Sequence, residues 1–412
     1  MSHLPGSLIA AAVGLALAAS NAQAADAQYQ SFFFAVCPGA TGALAIRCAQ
    51  TTGGLGDLSG DSESSLNPSQ SLSRNAPNVG VALARTKAVR ERGERQRDED
   101  LSSAIKMERG RLSLLINVLA TDPDRADGGL NSAERGFEGD SQAIEAGLDY
   151  RVSDKVVIGG LLGGERSKYR FAAEASGVNF TPQASAGGSD ADNKYLTLFA
   201  NWAIGQSGFI EVSGGYEKYS GSYQRFSVFQ ESRRQVAQTN VAVEGDADSK
   251  VRWASINAGF DVSRERFSYG PFLGVSTVRA TLDGYTERDL NGSGLAVRFS
   301  STTRKSLLAH AGMRASYTFS GQSGVFVPQL RLEYQKDFAD DPESLAASFA
   351  LDPRNTQLQL TGRTWDRDGI NAGFSLVAVL PNGWMPYLDY STLLGYTSLK
   401  RQRLTLGLRV EF

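Results

Sequence analysis

From about residue 110 to its last residue, the chain alternates apolar and polar side chains with a period of two. Successive side chains of a β-strand point to opposite faces, so this period is typical of strands and not of helices. The segment 401–412 (RQRLTLGLRVEF) shows the pattern most clearly. One face of that segment carries Leu404, Leu406, Leu408, Val410 and Phe412. The alternation predicts an all-β fold over residues 110–412.

Division of this region by its alternation gives about twelve strands, at roughly 25 residues per strand and connection. Their predicted centres are Ile116, Ala146, Gly160, Leu198, Val212, Ala258, Gly274, Ala311, Leu330, Phe374, Leu388 and Leu406. The connections after even-numbered strands are short: 153–155, 204–208, 263–266, 320–324 and 381–383. Those after odd-numbered strands are mostly long and polar: 121–139, 167–193, 220–248, 282–303 and 337–365. This alternation indicates hairpins whose long loops all lie at one end.

Two architectures share such strands, a soluble β-sandwich and a transmembrane barrel. A sandwich has no reason to gather its long loops at one end, whereas a bacterial outer-membrane barrel has short periplasmic turns and long extracellular loops. Nearly every apolar face also carries an aromatic residue near one end, as in the girdles of such barrels. The mean hydropathy of −0.25 fits as well, because only alternate residues of a barrel strand face lipid. We therefore predict a transmembrane antiparallel up-and-down β-barrel of about 12 strands.

The polar faces of these strands are predicted to line the lumen. The charged residues that we assign to the pore are Glu145, Asp149, Glu211, Arg314, Arg331, Glu333, Arg403 and Arg409. His310 has the same parity, and we expect it to be a solvated pore residue rather than a ligand or base. The only other histidine, His3, lies at the N-terminus, ahead of the apolar residues 8–19. This scarcity of histidine excludes catalysis by several His residues and a His-rich metal site.

The N-terminal region carries an export signal. Residues 8–19 are apolar, and Ala22-Gln23-Ala24 has the small-residue pattern that signal peptidase accepts. We expect residues 1–24 to be a signal peptide and residues 25–78, rich in Gly, Ser, Thr and Asn, to be a short flexible exported segment without a useful core. Within it, Cys37 and Cys48 would form a disulfide in an oxidising compartment, or else remain unbonded thiols in a disordered tail.

Residues 79–109 suit a helix that mixes charges of both signs. Its central charges are Arg85, Arg90, Glu91, Arg92, Glu94, Arg95 and Arg97. Such a run is usually a solvated linker helix. A polar, confined environment such as a barrel lumen would instead make it a plug helix inside the pore.

Together these features resemble the translocator domain of monomeric autotransporters of Gram-negative bacteria, over roughly residues 80–412. The pieces that carry the resemblance are LPNGWMPYLDY (380–390), SYGPFLGVS (268–276) and the aromatic Phe412. The resemblance implies that the barrel exports or displays its own N-terminal segment at the cell surface and that the preceding helix threads the pore. It also implies that Leu404, Leu406, Leu408, Val410 and Phe412 form a signal for the barrel-assembly machinery, which many porins share.

One departure from the family is the passenger, for which we expect only residues 25–78. Two Gly-Asp-Ser triplets, 60–62 and 139–141, lack the Leu and the α/β context of a GDSL esterase, so we expect no enzyme. The alternative function is a self-contained outer-membrane barrel that acts as a surface protein, adhesin or channel through its long loops. We expect no cofactor, no metal and no nucleic-acid partner. The expected partners of a monomeric barrel are outer-membrane lipid, lipopolysaccharide, the barrel-assembly machinery and periplasmic chaperones.

Overall fold

The computed structural model describes most of the chain. The described residues are 28–58, 63–68, 75–101, 111–125, 136–173, 181–231, 237–339, 344–362, 366–381, 383–396 and 399–412. The predicted signal peptide, residues 1–24, and His3 lie outside them, as does the whole triplet 60–62.

Within the described residues, twelve antiparallel strands form a closed barrel. They are β1 (Leu112–Arg125), β2 (Phe137–Ser153), β3 (Val156–Phe171), β4 (Gly187–Ile204), β5 (Gly208–Phe229), β6 (Thr239–Phe260), β8 (Phe267–Leu282), β12 (Thr302–Tyr317), β14 (Gly324–Asp337), β17 (Asp368–Val379), β18 (Trp384–Leu394) and β19 (Lys400–Glu411). Pairing of β19 with β1, in which Leu408 lies opposite Ile116, closes the wall. The predicted barrel is confirmed, and each of the twelve predicted centres lies in a different one of these strands.

The wall is apolar outside and polar inside. On the outer face, the side chains of Leu162 and Leu330 are 65% and 64% exposed, while the inward Glu211 and Glu333 are both 0% exposed. A soluble sandwich would bury its leucines and expose its glutamates. This inversion is the arrangement of a barrel whose outer surface meets lipid.

The two ends of the barrel differ. The short-turn end carries the tight turns at 154–155, 205–207, 265–266 and 322–323, beside the short strands β7 (Val262–Arg264) and β13 (Phe319–Gly321). At the opposite, long-loop end, the expected loop 220–248 is largely absent, because β5 and β6 remain paired up to Phe229 and Thr239. The short strand β10 (Arg288–Asp289) adds to β6 there.

Two other long connections form a second sheet above the long-loop end. It consists of β9 (Tyr285–Thr286), β11 (Val297–Phe299), β15 (Ser344–Phe349) and β16 (Leu358–Thr361), in the order β16-β15-β11-β9. Both connections differ from the long polar loops that the sequence predicts at 282–303 and 337–365. Alternation is weak evidence in strands of two to six residues, so these strands could not be separated from turns.

The N-terminal segment packs on this sheet as three short helices. They are α1 (28–36), which continues into the 3-10 turn Cys37–Gly39, α2 (Gly42–Ala49) and α3 (Glu63–Leu66). We call α1–α3 and the second sheet together the cap. Its shared apolar core includes Tyr29, Phe32, Phe33, Val36, Leu44, Leu58, Leu66, Phe299, Leu345, Phe349 and Leu358.

The expectation of a flexible segment without a core is therefore wrong for the described part of residues 25–78. The segment alone has too few apolar residues for a core, but the loops between β8 and β12 and between β14 and β17 supply the other half. No single described helix is long and apolar enough to span a membrane; Gln28–Gly39 and Gly42–Ala49 reach that length only together, and they are bent by 118°.

A long helix, α4 (Asn75–Leu101), lies inside the barrel. The Arg401 side chain, near the long-loop end of β19, donates from Nη1 to the Gly80 carbonyl oxygen at 2.8 Å. Further along α4, Arg92 pairs with Asp149, which is close to the short turn after β2. The helix thus runs from the cap towards the short-turn end, where β1 begins. It starts four residues before the predicted 79, and 102–109 lie outside the described residues.

Candidate functional site

The structure brings the predicted pore and plug residues together in the lumen. All of the predicted pore charges are buried on the inner face of the wall: Glu145, Asp149, Glu211, Arg314, Arg331, Glu333, Arg403 and Arg409. From the helix, Arg85, Arg90, Glu91 and Arg92 are buried against them. Glu94, Arg95 and Arg97 also belong to α4, and their side chains lie outside the described part.

Arg85 meets two carboxylates from the strands on either side of β4. It forms an ion pair with Glu165 on β3, and its Nε lies 3.1 Å from Oε1 of Glu217 on β5. Its guanidinium carbon is also 3.3 Å from the ring centroid of Tyr195 on β4. A buried cation between two carboxylates and an aromatic face is well compensated for its lost hydration.

On the other side of the helix, two cations share one carboxylate. Glu333 on β14 pairs with Arg90, and its Oε1 lies 3.3 Å from Nζ of Lys87. Lys87 also donates to Oε1 of Gln335 at 2.9 Å. His310 lies on the neighbouring strand β12, with Nε2 2.7 Å from Oδ1 of Asn257. The predicted solvated histidine is thus a buried wall residue with a hydrogen-bond partner, because α4 covers the part of the lumen that it faces.

Glu91 provides the complementary case, one carboxylate between two cations. It pairs with Arg331 on β14 and with Arg403 on β19. On β18, Oδ2 of Asp389 lies 3.9 Å from Nη2 of Arg331, and Oδ1 lies 3.5 Å from Nη2 of Arg403. The charges of Glu91, the two arginines and Asp389 thus alternate in sign. Arg403 also donates to the Ala84 carbonyl oxygen, which ties the wall to the backbone of α4.

Towards the short-turn end, Arg92 pairs with Asp149 and its guanidinium carbon lies 4.3 Å from the ring centroid of Phe199. Next to it, Gly93 approaches the wall so closely that a Cβ there would lie 2.2 Å from Oε2 of Glu211. Glycine weakens a helix, but here its missing side chain allows the close approach. Beside α4, a cavity of about 40 Å³ has room for only a few water molecules.

Four charged residues that hold the plug are not among the predicted pore charges: Glu165, Glu217, Asp389 and Arg401. Two of them, Glu165 and Asp389, lie on inner faces that also carry large apolar residues, such as Leu161 on β3 and Tyr387 on β18. The contrast between the two faces is weak in these strands. The alternation of inward and outward residues, continued from the neighbouring strands, would have placed Glu165 and Asp389 on the inner face.

The remaining predicted residues lie elsewhere. On the outer face of β19, Leu404, Leu406 and Phe412 are exposed, and Leu408 and Val410 are half-buried. In the cap, Cys37 and Cys48 form a disulfide, with Cα atoms 5.4 Å apart. Within the described part of the chain, no group of three or more His, Cys, Asp or Glu residues could hold a metal ion.

Comparison with known proteins identifies this arrangement. A family model described as "Autotransporter beta-domain" matches residues 123–391. Among solved structures, the translocator domain of autotransporter NalP from Neisseria meningitidis is 15% identical, covers 81% of this chain and 99% of its own, and has a TM-score of 0.54. The β-domain of the Bordetella autotransporter BrkA is 14% identical and covers 73% of this chain and 100% of its own, with a TM-score of 0.49. No curated protein sequence matches the chain.

Proposed function

Because this chain belongs to the autotransporter β-domain family, we propose that its barrel carries its own N-terminal segment across the outer membrane and retains it at the cell surface as the cap. An autotransporter β-domain is an outer-membrane translocator barrel of Gram-negative bacteria. What the barrel exports, and where the exported segment stays, is the part that we infer.

The path of α4 is the observation that carries the proposal. The cap lies at the long-loop end, whereas β1 begins at the short-turn end, opposite Tyr150. Outer-membrane barrels have their short turns in the periplasm and their long loops outside. The chain therefore joins a cap outside the membrane to a first strand that begins at the periplasmic end. Because the barrel wall is closed, this connection must have passed through the lumen.

The contacts of the cap support retention rather than release. Arg354 donates from Nη2 to the carbonyl oxygens of Ala35 and Val36 at 2.6 and 2.9 Å. The ring of Phe349 stacks on Phe32 with centroids 5.4 Å apart and meets Phe33 edge-on at 5.6 Å. These contacts join the segment to loops of the same barrel, so the segment would remain on the surface after transport.

A self-contained channel is less well supported, because α4 occupies the lumen with paired charges. We assign the chain no catalytic role. We also propose that the barrel is monomeric, that periplasmic chaperones are among its partners, and that the barrel-assembly machinery recognises it through the alternating outer face of β19.

An epitope placed between Gly53 and Gly54 tests this function. Both glycines are exposed, and a Cβ on Gly53 would meet no atom within 4 Å. By contrast Ser65 is buried and accepts a hydrogen bond from the Val228 N–H at 2.8 Å, so an insertion there would disturb the fold. We expect antibody to label the epitope on intact cells, and external protease to remove it.

The control carries the same epitope at the short turn after Asp154, which we expect to be labelled only after the outer membrane is opened. Both proteins must migrate differently on a denaturing gel with and without boiling, since a folded barrel resists detergent. A folded protein whose epitope at 53–54 is protected on intact cells would overturn the proposal.

A further inference from the structure

Six exposed cations lie side by side on the outer face of β4, β5, β6, β8 and β12. We call them the cation belt: Lys194, Lys218, Lys250, Arg252, Arg279 and Lys305. They form two adjacent rows that cross the strands. Nothing in the fold of a barrel requires such a row, because the lipid-facing side of each strand is otherwise apolar.

The strand register places these cations directly opposite one another. Lys218 lies opposite both Lys194 and Lys250. In the second row, Arg279 lies opposite both Arg252 and Lys305. Directly opposed residues have Cβ atoms roughly 4.5–5.5 Å apart, and like charges at that distance destabilise a sheet. The belt therefore calls for an anion that the strands themselves do not supply.

Acidic residues of the chain neutralise only part of the belt. Lys218 pairs with Asp248 at 3.4 Å, and Lys250 pairs with Asp283 at 2.9 Å. Among the residues that the structure describes, no acidic side chain forms an ion pair with any of the other members. Those members are Lys194, Arg252, Arg279 and Lys305. Four cations thus face outward without a counter-charge from the protein.

The height of the belt on the barrel indicates its surroundings. On β4, Ile204 lies at the short-turn end and Lys194 lies ten residues before it. Between them, the outward residues are Leu196, Leu198, Ala200 and Trp202. Ten residues at about 3.3 Å each, in a strand tilted by about 40°, span about 25 Å, which is the height of the apolar band of an outer-membrane barrel. The belt therefore begins where the band ends, on the side of the long loops.

The belt is confined to one side of the barrel and to one level. On β1 the exposed outward residue beyond the apolar stretch is Asp122, which lies opposite Gln402 of β19. One row further out than Lys194 and Lys218, Asp192 and Asp248 lie on either side of Ser220. Because Arg166 lies opposite Asp192 and Lys218 pairs with Asp248, this row is mixed in sign, and the uncompensated positive charge lies at the level of the belt.

We propose that the cation belt binds the phosphate groups of the outer-leaflet glycolipid, lipopolysaccharide. Phosphates carried by a membrane-anchored glycolipid reach this level while their acyl chains cover the apolar band below. Arginine and lysine form charge-assisted hydrogen bonds with phosphate, and the bound anion removes the repulsion between opposed cations. This inference rests on the proposed function only for the orientation that places the long-loop end, and so the belt, at the outer leaflet.

The test uses the full-length folded protein in neutral detergent micelles, with purified lipid A as the probe. We expect lipid A to bind and to raise the temperature at which the protein loses its heat-modifiable migration, and dephosphorylated lipid A to have neither effect. The triple variant Arg252→Gln, Arg279→Gln, Lys305→Gln should bind lipid A roughly a hundredfold more weakly. Without lipid it should be at least as stable as the parent, because repulsion is removed.

A matched control removes three exposed cations from the short-turn end, by Lys155→Gln, Arg264→Gln and Arg266→Gln, and should bind as the parent does. If the triple belt variant does not fold, Arg279→Gln alone tests the same row. Equal binding of lipid A with and without phosphates, unchanged affinity of the belt variant, or equal loss in the control would each overturn the proposal. The assay does not use cells, so it can fail independently of the epitope experiment.

Discussion

The N-terminal segment is held in two different ways in the two places where it meets the barrel. In the lumen, α4 is held by buried ion pairs, such as that of Glu91 with Arg331. In the cap, α1 and α2 are held by an apolar core, in which Phe33 and Phe349 are almost fully buried. One interface is charged and enclosed, and the other is apolar and lies outside the apolar band.

The difference teaches how each interface is specified. A buried charge is costly without its partner, so α4 has a single favourable register in which each cation meets a carboxylate. An apolar core tolerates changes of shape as long as volume is kept. We therefore expect the lumen to fix the position of the helix, and the cap to fix the folded state of the N-terminal segment.

Removal of the plug should have the largest effect. Deletion of residues 85–100 takes the central turns of α4 out of the lumen, so single-channel conductance in planar bilayers should rise from the background to that of an open barrel. Deletion of residues 28–68, which removes the cap helices and leaves α4, should change conductance much less. Equal conductance of the parent and the plug deletion would show that α4 does not seal the pore.

Glu91→Gln should break the charged interface. The substitution leaves Arg331 and Arg403 with Asp389 as their only shared carboxylate, so one buried positive charge is uncompensated, which should cost about 3–5 kcal/mol of stability. Denaturant unfolding in detergent micelles measures this loss. The control is Glu244→Gln, which removes an exposed pair with Arg288 and should cost about 0–1 kcal/mol. Similar losses in both variants would contradict the role that we give to the lumen.

Phe349→Ala should break the apolar interface without opening the pore. Truncation of a buried phenylalanine costs about 3–5 kcal/mol, here within the cap. We expect protease to cut the turn at 53–54 faster, while heat-modifiable migration and conductance stay as in the parent. Phe34→Ala is the control, because that ring is 50% exposed. A Phe349→Ala protein that loses its folded barrel would mean that the cap and the barrel are not separable.

Loss of the disulfide should have a smaller effect in the same place. Cys37 and Cys48 are separated by 11 positions, and a loop of that size stabilises by about 2–3 kcal/mol. The double variant Cys37→Ser, Cys48→Ser should therefore show faster cleavage at 53–54, but less so than Phe349→Ala. Reducing agent should accelerate cleavage of the parent and leave the double variant unchanged. If neither the double variant nor reducing agent changes the rate of cleavage, the disulfide does not stabilise the cap.

The smallest expected effect concerns pH. Burial by itself would raise the pKa of Asp352, but hydrogen bonds from Thr356 and from the Arg354 N–H, with the nearby Arg354 charge, hold this pKa below its usual range. The lowered pKa means that the ionised carboxylate stabilises the folded cap. That contribution is complete above the unfolded value of about 3.9 and is lost as pH falls through the lower folded value.

Pepsin cleavage at 53–54 should therefore accelerate as the pH is lowered below about 4. Asp352→Asn lacks the ionised acceptor, so above about pH 4 it should be cleaved faster than the parent. Its cleavage rate should also lack the increase at low pH that protonation of Asp352 causes. An increase of the same size in both proteins would assign it to another group.

Much of the barrel could be predicted because its pattern is local. Each strand residue faces either lipid or the lumen, so parity alone places Glu145 and Arg409 inside and Leu406 outside. Parity says which residues face the lumen but not which residue of α4 each one meets. The partners of Glu91 come from β14 and β19, and their choice depends on the depth at which the helix sits.

The sequence by itself determined the twelve strands, their inward and outward faces and the end that carries the long loops, because a period of two is set by neighbouring residues and by the environment of each face. Only the tertiary structure decided the cap and the pairing of the plug. The cap joins partners far apart in the chain, such as Arg354 and Ala35, 319 positions apart, and no local period records which distant apolar segments will share a core.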